Sequence, residues 1–206
     1  MNVFILCTGR CGSMSISRAC KDLENFSSGH ETRIDNLGNE RLNFPQNHIE
    51  ADNRLSWFLG RLDEKYGNNA FYVHMTRDTA ATARSYNLRW HHVGSIVRAY
   101  TEGILTKPLQ LIPSKDLLNY SEDYCNTVNE NIKHFLKDKD KKCEIRLEHL
   151  EVDFLKFWDI IGAKGDKQKA LESLNQKHNK SRNTNNDIKY RAKLFVMGLK
   201  NNFFTR

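Results

Sequence analysis

Apolar positions along the chain fall into short unbroken runs and longer stretches with helical period. Val3-Phe4-Ile5-Leu6-Cys7 is an unbroken run that leads into a glycine-bearing turn, the pattern of a parallel strand buried on both faces. After Gly12, residues Ile16, Ala19, Cys20 and Leu23 recur at i, i+3, i+4 and i+7, so a helix is predicted to begin near Ser13. Asp52 reads as the N-cap of a second helix that presents Leu55, Phe58, Leu59 and Leu62 on one face and stops at Gly67. Phe71 to Met75 repeats the buried-strand pattern, and Asp78 reads as the cap of a helix running to about Trp90. Further helices are predicted over about 94–105 and 121–137, the latter with Tyr124, Val128, Ile132 and Phe135 in one stripe. Cys143 to Leu147 alternates as a third strand. Helices follow over about 152–161, stopped by Gly162, over 167–177, capped by Asp166, and over 185–200. Segments 24–50 and 104–119 lack periodicity and are rich in turn formers, so they read as irregular. Strands alternating with helices imply an α/β fold with a parallel sheet and right-handed crossovers.

The 206 residues suffice for a single domain, and neither a repeat nor a Gly/Ser/Pro linker divides them. No apolar run approaches the roughly 20 residues that span a bilayer. Val3 to Leu6 is too short for the core of a signal peptide, so a cytoplasmic protein without membrane partners is expected. Five cysteines, at 7, 11, 20, 125 and 143, include no C-x-x-C pair and read as free thiols in a reducing compartment. The net charge of +7 is uneven: residues 1–132 hold 14 basic and 15 acidic side chains, residues 133–206 hold 18 and 10. A basic final third can attract a polyanion, whether nucleotide, nucleic acid or anionic lipid, and charge does not choose among these.

Two loops at strand ends carry candidate chemistry. Cys7-Thr8-Gly9-Arg10-Cys11-Gly12-Ser13-Met14-Ser15 joins the first strand to its helix. Glycines there let backbone N–H groups converge at a helix N-terminus, Arg10 adds a full charge, and the hydroxyls of Thr8, Ser13 and Ser15 can donate to an anion. The loop departs from G-x-x-x-x-G-K-[ST]: Gly9 and Gly12 are too close together and no Lys precedes Ser13, which argues against an ordinary ATPase or GTPase. Arg77 follows the second buried strand, at the sheet edge where open α/β folds bind ligands, and Ser85 lies eight residues further, about two helical turns on. His91-His92 is adjacent on a helix, cannot share a face and lacks a carboxylate partner, so no metal is expected. His48, Glu50, Asp52 and Arg54 surround a possible short strand, with Asp52 better explained as a cap.

Taken in order, these segments resemble the sulfotransferase superfamily. Thr8-Gly9-Arg10-Cys11-Gly12-Ser13-Met14 is similar to its 5′-phosphosulfate loop, and Arg77 with Ser85 to its 3′-phosphate motif, Thr79 standing where that motif has Pro. Glu144 to Leu150 and His178-Asn179-Lys180-Ser181 are similar to two later family segments. Cys11 and Met14 depart from the hydroxyl residues usual there; Arg10 in place of Lys is closer to the carbohydrate and bacterial type than to the cytosolic aryl type. The resemblance implies a P-loop-like three-layer α/β fold with a central parallel sheet flanked by helices, and 3′-phosphoadenosine 5′-phosphosulfate as sulfuryl donor without a metal. It implies that Thr8, Gly9, Arg10, Cys11, Gly12, Ser13 and Met14 hold the phosphosulfate, that Arg77 and Ser85 hold the 3′-phosphate, and that Lys180 adds charge. The catalytic set it implies is Arg10, Glu31 as general base twenty-one residues later, and His30 orienting it, with Glu50 as reserve base. The acceptor would be a saccharide or small molecule. The rival expectations are a P-loop-type nucleotide kinase and a nucleic-acid-binding module using the basic final third; the latter lacks any known binding motif or aromatic platform.

Overall fold

The structure is a computed structural model and describes residues 1–90, 92 and 94–176. They form two compact units, one of Met1–Asp78 with residues 126–176, the other of Thr79–Cys125.

The first unit is built on five parallel strands, β1 (Val3–Cys7), β2 (Ser27–His30), β3 (His48–Ala51), β4 (Phe71–Thr76) and β5 (Lys142–Arg146), in spatial order β2-β3-β1-β4-β5. β1 lies at the centre and pairs residue for residue with β4, Val3 opposite Phe71 through Cys7 opposite Met75. Its unbroken apolar sequence follows from this position, because both faces are covered. On one face Val3, Ile5, Cys7, Val73 and Met75 pack against Ile16 and Ala19 of α1 (Ser13–Ala19). The same face takes Phe154, Phe157 and Trp158 of α6 (Leu150–Ile160), and Ala170 and Leu174 of α7 (Lys167–Asn175). On the other, Phe4 meets Tyr66 of α2 (Leu59–Tyr66) at 4.7 Å and Phe44 at 5.6 Å between ring centroids. Tyr72 there meets Phe135, the last residue of α5 (Leu117–Phe135), edge-on at 5.1 Å. The expected α/β architecture, a parallel sheet flanked by helices, is what the chain adopts.

Two of the expected caps are in place. Asp166 accepts from the Lys169 amide at the start of α7, and Asp52 from the Arg54 amide. The helix expected from Asp52 is interrupted at Phe58: a 3-10 turn, Asn53–Trp57, precedes α2. Segment 24–50, expected to be irregular, instead holds β2 and most of β3. β2 is Ser-Ser-Gly-His, an edge strand partly open to solvent, so pairing with β3 rather than an apolar pattern defines it.

In the second unit lie α3 (Thr79–Asn87), α4 (Ile96–Ala99) and the first turns of α5. α4 runs on into a wide turn, Tyr100–Ile104. Tyr124 of α5 is fully buried in this unit and meets Tyr86 at 5.4 Å and Tyr100 at 5.6 Å, both edge-on. No described helix is long and apolar enough to cross a membrane. The helix expected over 185–200 lies outside the described residues.

Candidate functional site

From β1 the chain moves outward to β2 and β3 on one side, then returns to β4 and β5 on the other. The carboxyl ends of β1 and β4 therefore flank a topological switch point, where open α/β sheets place ligands because the following loops diverge. The two segments singled out in the sequence leave the sheet at these two strand ends.

The loop after β1 turns by left-handed backbone at Gly9 (φ 81°), Arg10 (φ 60°) and Gly12 (φ 96°). For Arg10, a residue with a Cβ, this conformation costs about 1–2 kcal/mol, a strain characteristic of functional loops. Gly12 is the N-cap of α1 and provides no side-chain cap, so the helix start depends on other partners. Arg77, one residue beyond β4, donates from Nη1 to the carbonyl of Arg10 at 3.1 Å. Two guanidinium-bearing residues from segments 67 positions apart thus meet at one loop. Beside Arg77, Glu148 Oε1 accepts from the Asp78 amide at 2.9 Å.

Not every loop side chain faces outward. The Thr8 hydroxyl is buried and donates to the Gly9 carbonyl at 2.9 Å. Cys11 is fully buried in the core, and the Gly9 amide donates to Cys7 Sγ at 3.3 Å. The hydrogen bond between the two thiols pushes the Cys7 thiol well up and the Cys11 thiol down. Cys11 therefore serves packing with its side chain and can offer a ligand its backbone. Ser13 opens α1, and its Oγ shares a hydrogen bond with His30 Nε2 at 3.2 Å. Met14, next in α1, is half-buried.

His30 ends β2, and Glu31 follows in left-handed backbone (φ 54°) with its amide on the Ala51 carbonyl at 3.1 Å. Glu31 Oε2 pairs with Arg54 Nη1 at 3.0 Å. The Arg54 amide is held by Asp52 Oδ1 at 2.8 Å, and the other oxygen of Asp52 pairs with the buried Arg41 guanidinium. Glu50 is fully buried beneath this turn. Burial works to raise its carboxyl, but hydrogen bonds from His48 and Thr32 outweigh that and hold it below the ordinary range. With no exposed surface, Glu50 is enclosed where no acceptor could reach it as a base.

The structure thus brings Arg10, Ser13, His30 and Arg77 to one region of the first unit, with Glu31 beside His30. Ser85 sits half-buried on α3 of the second unit. Lys180, the His178–Ser181 segment and His91 lie outside the described residues. Arg54 is expected from the sequence only as a flank of a possible short strand, and Arg41 and Thr32 are not singled out there. Their signal was the alternation of His48, Glu50 and Asp52, polar groups with strand period in a segment that turns out to be buried throughout.

No protein-family profile matches the chain, and no curated protein does. Among solved structures the chain is similar to the sulfotransferase domain from the curacin biosynthetic pathway, with a TM-score of 0.60 and 14% sequence identity. The match covers 86% of this chain and 78% of that one. At this identity the likeness speaks for the fold.

Proposed function

We propose that the chain is a sulfotransferase that moves a sulfuryl group from 3′-phosphoadenosine 5′-phosphosulfate to a hydroxyl or amine of a small-molecule or saccharide acceptor. The observation that carries the reading is the 3.1 Å hydrogen bond from Arg77 to the Arg10 carbonyl. It sets a second cation beside a glycine loop at the β1/β4 switch point, as a nucleotide with phosphates at both ends requires. The fold shared with a sulfotransferase domain supports the class, and the loop resembles the superfamily's phosphosulfate motif, with Cys11 and Met14 as departures.

The donor supplies the sulfuryl group and departs as the 3′,5′-bisphosphate. Arg10 and the loop backbone would stabilise charge that builds on the departing 5′-phosphate, and Arg77 would hold the 3′-phosphate. Such in-line transfer needs chiefly positioning and charge stabilisation, by analogy with phosphoryl transfer. The acceptor's proton needs a base at the edge of the loop. The sequence points to Glu31. Geometry favours exchanging the two roles, since His30 touches Ser13 at the helix start while the Glu31 carboxylate is engaged by Arg54.

A thermal-shift series tests the reading. Stabilisation by 3′-phosphoadenosine 5′-phosphate, with little from ATP–magnesium and none from an oligonucleotide, supports it. Equal or greater stabilisation by ATP–magnesium would turn the reading towards a kinase, and by the oligonucleotide towards nucleic-acid binding.

A further inference from the structure

β3 is buried along its whole length yet carries His48 and Glu50, and the proton-transfer proposal uses neither. A carboxylate without exposed surface is tolerated when its oxygens accept hydrogen bonds, and both oxygens of Glu50 do. Oε1 accepts from the Thr32 amide at 2.8 Å, and Oε2 from the Thr32 hydroxyl at 2.7 Å and from His48 Nε2 at 2.9 Å. His48 is fixed in turn by the Ser27 hydroxyl at its Nδ1, 2.8 Å away, and by stacking on Phe44 at 5.6 Å. Glu50 therefore grips Thr32 by backbone and side chain together.

Thr32 directly follows His30 and Glu31 and opens the turn that leads away from β2. Glu31 is left-handed there, a conformation an L-residue adopts when its surroundings impose it. The grip closes directly over Gly29: a Cβ at that position would lie 2.2 Å from Thr32 Cγ2 and 2.9 Å from Glu50 Oε2. We infer that Glu50 is a positioning residue, whose clamp on Thr32 fixes the His30–Glu31 turn and so holds the His30 ring against Ser13 at the start of α1. The catalytic meaning of that placement rests on the sulfotransferase reading above; the clamp itself rests on the contacts.

The test uses the full chain and the rate at which diethyl pyrocarbonate modifies His30, read by peptide mass spectrometry, alongside the thermal shift given by 3′-phosphoadenosine 5′-phosphate. Thr32 is exposed, so Thr32→Val removes the hydroxyl bond with little risk to folding, and Thr32→Ser retains it. Expected are a His30 modification rate at least threefold higher in Thr32→Val and in Glu50→Gln, and a wild-type rate in Thr32→Ser. If Glu50→Gln does not fold, Thr32→Val decides. A Thr32→Val rate equal to wild type overturns the inference. A wild type that the nucleotide fails to stabilise removes the transferase reading instead, and leaves the clamp to be judged by the His30 rates.

Discussion

Replacing Gly29 by alanine should break the clamp sterically, and its cost can be worked from the contacts. The new methyl would lie 2.2 Å from Thr32 Cγ2, so that atom must retreat by about 1.2 Å to reach ordinary contact near 3.4 Å. The Thr32 hydroxyl sits on the same Cβ, and its 2.7 Å bond to Glu50 would stretch to about 3.9 Å, beyond hydrogen-bond range. Turning Thr32 to another rotamer loses the bond equally. A hydrogen bond to a charged group contributes about 1.5–3 kcal/mol. At about 2–4 °C per kcal/mol for a chain of this size, the melting temperature should fall by about 3–12 °C. The same contacts predict a rescue. Gly29→Ala with Thr32→Ser removes Cγ2 but keeps the hydroxyl, and should recover at least half of the loss; the 2.9 Å approach to Glu50 keeps recovery incomplete. Thermal melts of the wild type, both single variants and the double variant measure this. A double variant no more stable than Gly29→Ala would refute the reasoning.

Other outcomes follow from single contacts. Glu50 has a depressed carboxyl, so its contribution to stability is complete above its ordinary value of 4.5 and is lost as pH falls through the folded value. The urea-midpoint gap between wild type and Glu50→Gln should therefore narrow below about pH 4.5; a gap unchanged down to acid unfolding would contradict the assignment. Cys11→Ser introduces the hydroxyl carried by the loop this one resembles, yet the side chain faces the core, so stability should fall by about 1–3 kcal/mol. Nucleotide affinity measured by calorimetry should stay within about twofold, since a solvent-facing hydroxyl would instead add a hydrogen bond worth about 0.5–1.5 kcal/mol. Asp166→Ala removes the cap bond to the Lys169 amide and should cost about 0.5–2 kcal/mol in urea unfolding.

What could be read from the sequence was what each residue does under a local rule. β1 and β4 announce themselves because a strand covered on both faces is apolar throughout, and Asp166 because a cap is a local hydrogen bond. β2 is not legible because Ser27 to His30 contains no apolar side chain, its identity coming from pairing with residues twenty-one positions later. β3 is legible only as a possible short strand, because His48 and Glu50 are polar residues whose burial depends on Ser27 and Thr32 from the neighbouring strand and turn. In the loop after β1 the residue types were legible and the side-chain directions were not. Whether Thr8 and Cys11 face a ligand or the protein depends on the backbone sense at Gly9 and Arg10, which the order of residues leaves open.

In the proposed reaction Arg10 and Arg77 would serve opposite ends of one nucleotide. The measurement that tests it is the calorimetric affinity of wild type and Arg77→Ala for 3′-phosphoadenosine 5′-phosphate and for adenosine 5′-phosphate. The account predicts that the wild type prefers the bisphosphate, and that Arg77→Ala weakens it by about 10- to 150-fold, the equivalent of one charge-assisted contact, while adenosine 5′-phosphate binds nearly as before. Equal losses for both ligands, or none for either, would contradict it.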